Sequence, residues 1–127
     1  MAYTTINKSS LHFNTKLFTG NGGTNAQTGV GFQPDLLWFK NRSAGINHMW
    51  FDSVRGINKY FYGNLTEAQG TSSSILTARG SDGFTVGANG NVNGNGNGIA
   101  SWNWKAGSSV SGTTTGSGTG KSYSGSV

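Results

Sequence analysis

Short apolar runs separated by clusters of glycine, asparagine and serine are the feature of this sequence that most restricts its fold. No stretch repeats apolar residues at the helical spacing i, i+3, i+4, i+7 over three turns. The 22 glycines would also interrupt most windows in which a helix could form. The chain is therefore predicted to fold from strands joined by turns.

Seven or eight short strands are predicted, at intervals of roughly 8–12 residues that are typical of a sandwich or jelly roll. They fall in residues 11–18, 29–32, 34–42, 47–54, 59–62, 75–79, 83–86 and 98–105. A parallel sheet would need crossover helices, for which the sequence leaves no room. The predicted fold class is all-β, an antiparallel β-sandwich.

Composition divides the chain into three parts. Residues 1–10 form an N-terminal arm, residues 11–106 form the sandwich domain, and residues 107–127 form a flexible linker or tail rich in Gly, Ser and Thr. Two segments inside the domain stand out. Residues 64–69 (NLTEAQ) are the best helical candidate, with one or two turns, and residues 88–98 (ANGNVNGNGNG) are predicted to form a turn or a wide loop.

The charge pattern and the start of the chain limit the classes of partner. The net charge is +5, but the cations are scattered along the chain, so no nucleic-acid partner is expected. No basic-then-apolar leader opens the sequence. No apolar run approaches the roughly 20 residues that cross a bilayer, so no membrane insertion is expected.

Few side chains suited to acid–base or metal chemistry are present. The chain has no cysteine and two histidines, and its four carboxylates are Asp35, Asp52, Glu67 and Asp82. A glycosidase would need two carboxyl groups about 5–10 Å apart, and no pair is close in sequence. We therefore expect no enzyme activity, and no catalytic residue, cofactor or metal site is assigned.

The last predicted strand has two chemically different faces. Ala100, Trp102 and Trp104 share one face, and polar side chains occupy the other. The favoured interpretation is that the two tryptophans form a wall of the core. The alternative is an aromatic platform for sugar rings or bases.

The segment after residue 47 supplies the candidate contact residues. Trp50 and Phe51 point to opposite faces of a strand, so one of the two is expected to be exposed. Asp52 and Arg55 form a compact polar cluster, which is interpreted as an ion pair that fixes a turn or, alternatively, as a ligand contact. The candidate contacts with a glycan or a partner are Trp50, Asp52, Arg55, Tyr60 and Tyr62.

Five short motifs in a fixed order resemble a known family. They are FTGNG (18–22), GFQPDLLWFKNRS (31–43), FDSVRG (51–56), SDGFTVG (81–87) and WNWKAG (102–107). In this order they resemble a domain that recurs in virion proteins of tailed phages, especially phages of marine bacteria. The resemblance spans residues 3–107.

The resemblance implies a fold and a role. The fold is a concanavalin-like, jelly-roll type of β-sandwich, and family members often continue past a Ser/Gly/Thr linker into a second similar unit. The implied role is a non-enzymatic structural protein of the virion, made in the host cytoplasm, that decorates the capsid or builds a head fibre, tail fibre or appendage. Its expected partners are other virion proteins of the capsid or tail, further copies of itself in a homo-oligomer, and a host-surface glycan during attachment. The alternative function is a carbohydrate-binding module that recognises host-surface glycans.

Overall fold

The computed structural model describes residues 8–107 and the backbone of two further strands in residues 109–113 and 122–126. A single 3-10 turn (Ser9–Leu11) and one short helix, α1 (Gly90–Asn93), accompany the strands. The strands are β1 (Phe13–Thr19), β2 (Asn25–Gln27), β3 (Leu36–Asn41), β4 (Met49–Asp52), β5 (Lys59–Tyr62), β6 (Gly70–Thr71), β7 (Leu76–Gly80), β8 (Gly83–Val86), β9 (Gly98–Trp104), β10 (Ser109–Thr113) and β11 (Ser122–Ser126). Residues 1–7 of the predicted N-terminal arm lie outside the described part.

Two antiparallel sheets make the domain. The larger has six strands in the order β1-β9-β3-β4-β5-β6, and the smaller has three in the order β2-β8-β7. Strands β10 and β11 pair with each other. The predicted all-β antiparallel sandwich is confirmed. No helix in the described residues is long and apolar enough to cross a membrane.

The core lies between the two sheets. Phe39 of β3 meets Phe84 of β8 edge to face, with ring centroids 5.1 Å apart. Around this pair the inner faces bury Leu37, Met49, Phe51, Ile75, Leu76, Val86 and Ile99. Each such side chain contributes about 1.5–3 kcal/mol by leaving water, so burial between the sheets is the main source of stability.

Two predicted elements are wrong. Residues 64–69 form no helix. Asn64, at the position where it could cap such a helix, uses its side chain elsewhere, because its Oδ1 accepts the backbone N–H of His48 at 2.9 Å.

Residues 29–32 form no strand, because Gly29 and Gly31 adopt φ values of +82° and +91°. The carboxylate of Asp82 holds this loop by accepting both glycine N–H groups at 2.9 and 2.6 Å, and these bonds lower the pKa of Asp82.

Other elements were not predicted. Strands β2 and β6 are only three and two residues long, too short for a period-2 pattern to show. Residues 88–98, predicted as a turn or loop, contain α1, whose first turn is capped by Asn89 through a 2.9 Å bond from Asn91 N–H. The tail, residues 107–127, was predicted without strands but contains β10 and β11, and its residues 108, 114–121 and 127 lie outside the described part.

Asn93, the last residue of α1, is fully buried, and its side chain bonds to four other residues. Its Oδ1 accepts from Asn21 N–H at 3.0 Å and from Asn25 Nδ2 at 2.9 Å. Its Nδ2 donates to Asn21 Oδ1, Gly23 O and Gly87 O at 3.0, 2.6 and 3.0 Å. One amide therefore fastens the β1–β2 loop, β2 and the end of β8 to each other.

Candidate functional site

The face of the six-stranded sheet that points away from the three-stranded sheet, called the outer face below, carries a line of aromatic side chains. Trp102, Trp38, Trp50 and Phe61 face one another in register across β9, β3, β4 and β5. Side chains alternate between the two faces of a strand. The strand neighbours of these four therefore fill the core, while the four point outward. We call these four residues the aromatic row.

The rings of the aromatic row stack on one another. The centroid distances along the row are 4.8, 5.0 and 5.7 Å, and the interplanar angles are 36°, 20° and 18°. Rings lying flat on the sheet would need wider spacing, and edge-to-face pairs would need steeper angles. The first two distances instead lie close to the 4.7–4.9 Å between strands, and the third is somewhat wider. The rings therefore stand upright, turn their faces to each other and present their edges to solvent as a ridge.

One end of the ridge is covered by a cation. The guanidinium carbon of Arg55 lies 4.4 Å from the centroid of the Phe61 ring, a cation–π arrangement. Asp52 fixes this guanidinium, since its Oδ2 accepts from Arg55 Nε at 2.6 Å and also lies 2.6 Å from Nη2. The charged group is thus held over the last ring of the aromatic row.

The same Asp52 also forms the turn that follows β4. Its Oδ1 accepts the backbone N–H of Arg55 at 2.8 Å. Partial burial raises the pKa of Asp52, but the backbone and side-chain hydrogen bonds from Arg55 outweigh that effect and hold the pKa below its ordinary value. Asp52 is therefore ionised at neutral pH, and the ion pair that was expected to fix a turn is present.

A shallow groove opens beside the ridge at the end of the outer face. It encloses about 370 Å³ and is lined by Asp35, Leu36, Asp52, Ser53, Val54, Trp104, Lys105 and Ala106. Trp104 lies outside the aromatic row and contacts Phe13 at 5.0 Å between centroids with a tilt of 45°. Val54 is 94% exposed at the rim. The groove thus combines an aromatic ring with two carboxylates and an ammonium group.

A family model described as a domain of unknown function (DUF7483) matches residues 8–124. The chain belongs to this family. No curated protein and no solved structure matches the chain.

In this DUF7483 domain the five predicted contact residues are divided between two faces of the sheet. Trp50, Asp52 and Arg55 lie together at the outer face, around the aromatic row. As predicted for a Trp50–Phe51 pair on opposite faces, Trp50 is half-buried on the outer face and Phe51 is fully buried in the core.

The two tyrosines of the predicted site belong to the inner side of the sheet. Tyr60 and Tyr62 pack against the core cluster and contact each other at 5.5 Å between centroids. Tyr60 also packs directly on Gly70, where a Cβ would overlap its ring. Burial and the neighbouring Tyr60 raise the pKa of Tyr62. These tyrosines support the fold and do not share a surface with Trp50.

The interpretation of β9 as a core wall of tryptophans is wrong. Trp102 and Trp104 lie half-buried on the outer face, and Ser101 and Asn103 on the opposite face are fully buried. Burial of these side chains is tolerated because most of their polar groups are hydrogen-bonded, although Asn103 Oδ1 has no partner among the described residues. Asn103 Nδ2 donates to Asn14 O and to Ser101 Oγ, both at 3.1 Å.

Three of the four carboxylates serve the fold, and the fourth, Glu67, is exposed. Asp35 Oδ2 accepts the N–H of Ala106 at 2.9 Å, and its Oδ1 lies 3.5 Å from Arg79. Asp52 holds Arg55, and Asp82 holds the loop at Gly29. Among the described residues, no group of three or more His, Cys, Asp or Glu side chains is placed to hold a metal ion.

Proposed function

We propose that this chain is a non-enzymatic structural domain of a phage particle that docks through its outer face onto another virion protein. The position on the particle would be that of a capsid decoration, a head fibre, or a tail fibre or appendage. The observation that carries the proposal is the aromatic row, a half-buried ridge of three tryptophans and a phenylalanine on the outer face that ends in a fixed arginine. The assignment to a phage particle rests on the five sequence motifs, which occur in an order that resembles a domain of phage virion proteins.

The chemistry of the ridge favours a protein partner. Tryptophan, tyrosine and arginine are the residues that most often dominate the binding energy of protein interfaces. Continuous apolar surface of this kind marks an interaction site. The ring faces of the aromatic row are already stacked on each other, which leaves edges for a partner to enclose. Edges fit a groove on another protein better than they fit a flat sugar ring.

The use of the carboxylates supports a role without catalysis. A general acid or base must be free to exchange a proton with a substrate. Asp35, Asp52 and Asp82 each accept hydrogen bonds that fix a turn, a loop or a strand end.

The proposal predicts that particles contain the chain and that its outer face is needed for incorporation. Particles assembled with Trp50→Leu should carry at least about tenfold less of the chain than wild type, which corresponds to about 1.4 kcal/mol of docking energy. The measurement is a quantitative immunoblot of purified particles, with immunogold labelling in the electron microscope. Leu65→Ala is the matched control, because Leu65 is an exposed apolar residue outside the strands.

Unlabelled wild-type particles would contradict the virion assignment. Equal incorporation of Trp50→Leu and wild type would contradict docking through the outer face while leaving the virion assignment intact. Circular dichroism of both variants, compared with wild type, separates lost docking from lost folding.

A second candidate function, recognition of a host-surface glycan, is favoured by the groove. Trp104 is outside the stacked row, so part of its ring is available to the groove. Asp35, Asp52 and Lys105 surround it with hydrogen-bonding groups of the kind that orient a polar ligand. The groove, and not the aromatic row, is therefore the place where a sugar would bind.

A glycan array tests this second function. If the groove recognises a sugar, wild type and Leu65→Ala should bind the same glycans, and Trp104→Ala should lose at least about tenfold in affinity. Equal binding by Trp104→Ala, or no binding by wild type to any glycan, would remove the second candidate.

A further inference from the structure

Strand β1 lies at the edge of the six-stranded sheet, with β9 on one side only. Backbone groups of successive residues in a strand point to opposite sides. Just before β1, His12 O accepts from Lys105 N–H at 2.8 Å, and so points toward the end of β9. By this alternation the N–H and C=O groups of Phe13, Thr15 and Leu17 point to the open edge. No described residue supplies them with a partner.

The open stretch has defined ends. Thr19 O, the next outward carbonyl, already accepts from Asn25 Nδ2 at 3.1 Å. At the other end the chain enters the 3-10 turn of Ser9–Leu11. An added strand therefore has room at residues 13–17.

The side chains of this stretch do not protect the edge. Phe13 and Leu17 are 37% and 61% exposed on the outer face, with Thr15 between them. Proteins commonly protect an edge strand with charges, proline or a bulge. The only charged residue of β1 is Lys16, which points to the inner face. An inward-pointing charge can also protect an edge, but the Lys16 ammonium is directed to the loop at Gly29, where a Cβ would lie 3.6 Å from its Nζ, and it does not cover the outward-pointing backbone groups.

We propose that β1 pairs antiparallel with β1 of a second copy of this chain, about a twofold axis at Thr15. In this register Thr15 faces Thr15 of the second copy, and Phe13 faces Leu17 of the second copy. The same surface serves both copies, as a twofold dimer requires. Each facing pair exchanges two backbone hydrogen bonds, and the six-stranded sheets of the two copies become one.

The register is also compatible with the charges. Lys16 faces Asn14 of the second copy, so the two lysines are not directly opposed, and a like-charge pair is avoided. Since the pairing uses the edge of β1 and not the aromatic row, the inference goes beyond the proposed function and does not depend on it.

Cysteine cross-linking tests the register directly, because the chain contains no cysteine. Facing hydrogen-bonded residues have Cα atoms about 5.5 Å apart, within the range of a disulfide. Thr15→Cys should therefore form a covalent dimer under mild oxidation. Phe13→Cys is the matched control on the same edge, where the two sulfur-bearing positions would be about 14 Å apart and should not cross-link. Equal cross-linking of both variants, or none with Thr15→Cys, would overturn the register.

Sedimentation equilibrium tests the dimer itself. Wild-type protein should shift from monomer to dimer between about 1 µM and about 1 mM, as expected of a small interface. Thr15→Pro should remain monomeric with an unchanged circular dichroism spectrum, because the N–H that it removes does not bond to β9. Leu17→Lys, at an exposed site, is a second blocking variant that keeps every backbone group.

The outcomes separate the occupants of this edge. A wild-type monomer at the highest concentration would overturn the proposal and would point to another segment of the chain, or a different protein, on the edge. A dimer that persists in both Thr15→Pro and Leu17→Lys would also overturn it, by showing that copies associate through another surface.

Discussion

Replacement of Asn93 by alanine is expected to lower the free energy of unfolding by about 3–4 kcal/mol. The side chain is fully buried and joins three segments of the chain. Its removal leaves the carbonyls of Gly23 and Gly87 and the amides of Asn21 and Asn25 without this partner. The Gly87 carbonyl is buried, and a buried group left unsatisfied costs about 1–3 kcal/mol, while the partly exposed groups of Asn21, Gly23 and Asn25 cost less because water can reach them. The expected loss of unfolding free energy is therefore in the range that is typical when a buried hydrogen-bond network is broken.

Urea denaturation followed by circular dichroism measures this effect. Asn95→Ala is the matched control, since Asn95 is exposed in the same glycine-rich segment, and its replacement should change stability by less than about 0.5 kcal/mol. Similar losses for the two variants would show that Asn93 is not the organising residue of these loops.

Replacement of Trp38 by alanine is expected to cost about 3 kcal/mol, although the residue lies on the outer face. Trp38 stacks on Trp102 on one side and on Trp50 on the other. Aromatic pairs contribute about 0.5–1.5 kcal/mol each beyond the area that they bury. Loss of two pairs and of the buried part of the ring accounts for the expected value.

Trp38→Phe separates stacking from the indole itself. It keeps a ring in the row and removes a buried indole N–H that has no hydrogen-bond partner in the described part of the chain, so we expect a cost below about 1 kcal/mol. Near-ultraviolet circular dichroism should show a strong signal from the coupled indoles in wild type and its collapse in Trp38→Ala. An unchanged signal in Trp38→Ala would contradict the stacked geometry.

Local patterns in the sequence identify the strands well where a turn signal and alternation coincide. The strands predicted at residues 75–79 and 83–86 are present as β7 and β8, and the Ser81–Asp82–Gly83 segment between them forms the tight turn that such a sequence favours. The alternation of Leu37 and Phe39 with Trp38 separates the two faces of β3, but because both faces are apolar it suggests a strand covered on both sides, whereas Leu37 and Phe39 are buried and Trp38 is only half-buried. Such features depend only on neighbours in the chain.

The sequence pattern does not reveal which face of β9 turns inward. Its tryptophan face is the more apolar, so a rule based on hydrophobicity places it in the core. In the fold, the register with β3 sets Trp102 beside Trp38 and Ser101 beside Phe39. Since Phe39 must be buried, Ser101 is buried with it. Tertiary pairing therefore overrides the preference of the isolated strand.

The candidate site is also assembled from distant parts of the chain. Trp50, Asp52 and Arg55 are close in sequence and lie together at the outer face, but the aromatic row needs four strands in register. The role of Asn93 was missed for a similar reason, since its partner Asn21 is 72 positions away. A run of alternating Asn and Gly resembles a simple loop until those partners are known.

All four tryptophans, Trp38, Trp50, Trp102 and Trp104, lie on the outer face, and none is in the core between the sheets. The intrinsic fluorescence of the whole molecule therefore originates from one surface. A ligand or protein that covers this surface changes the emission directly, and the protein needs no attached dye to report its own occupancy.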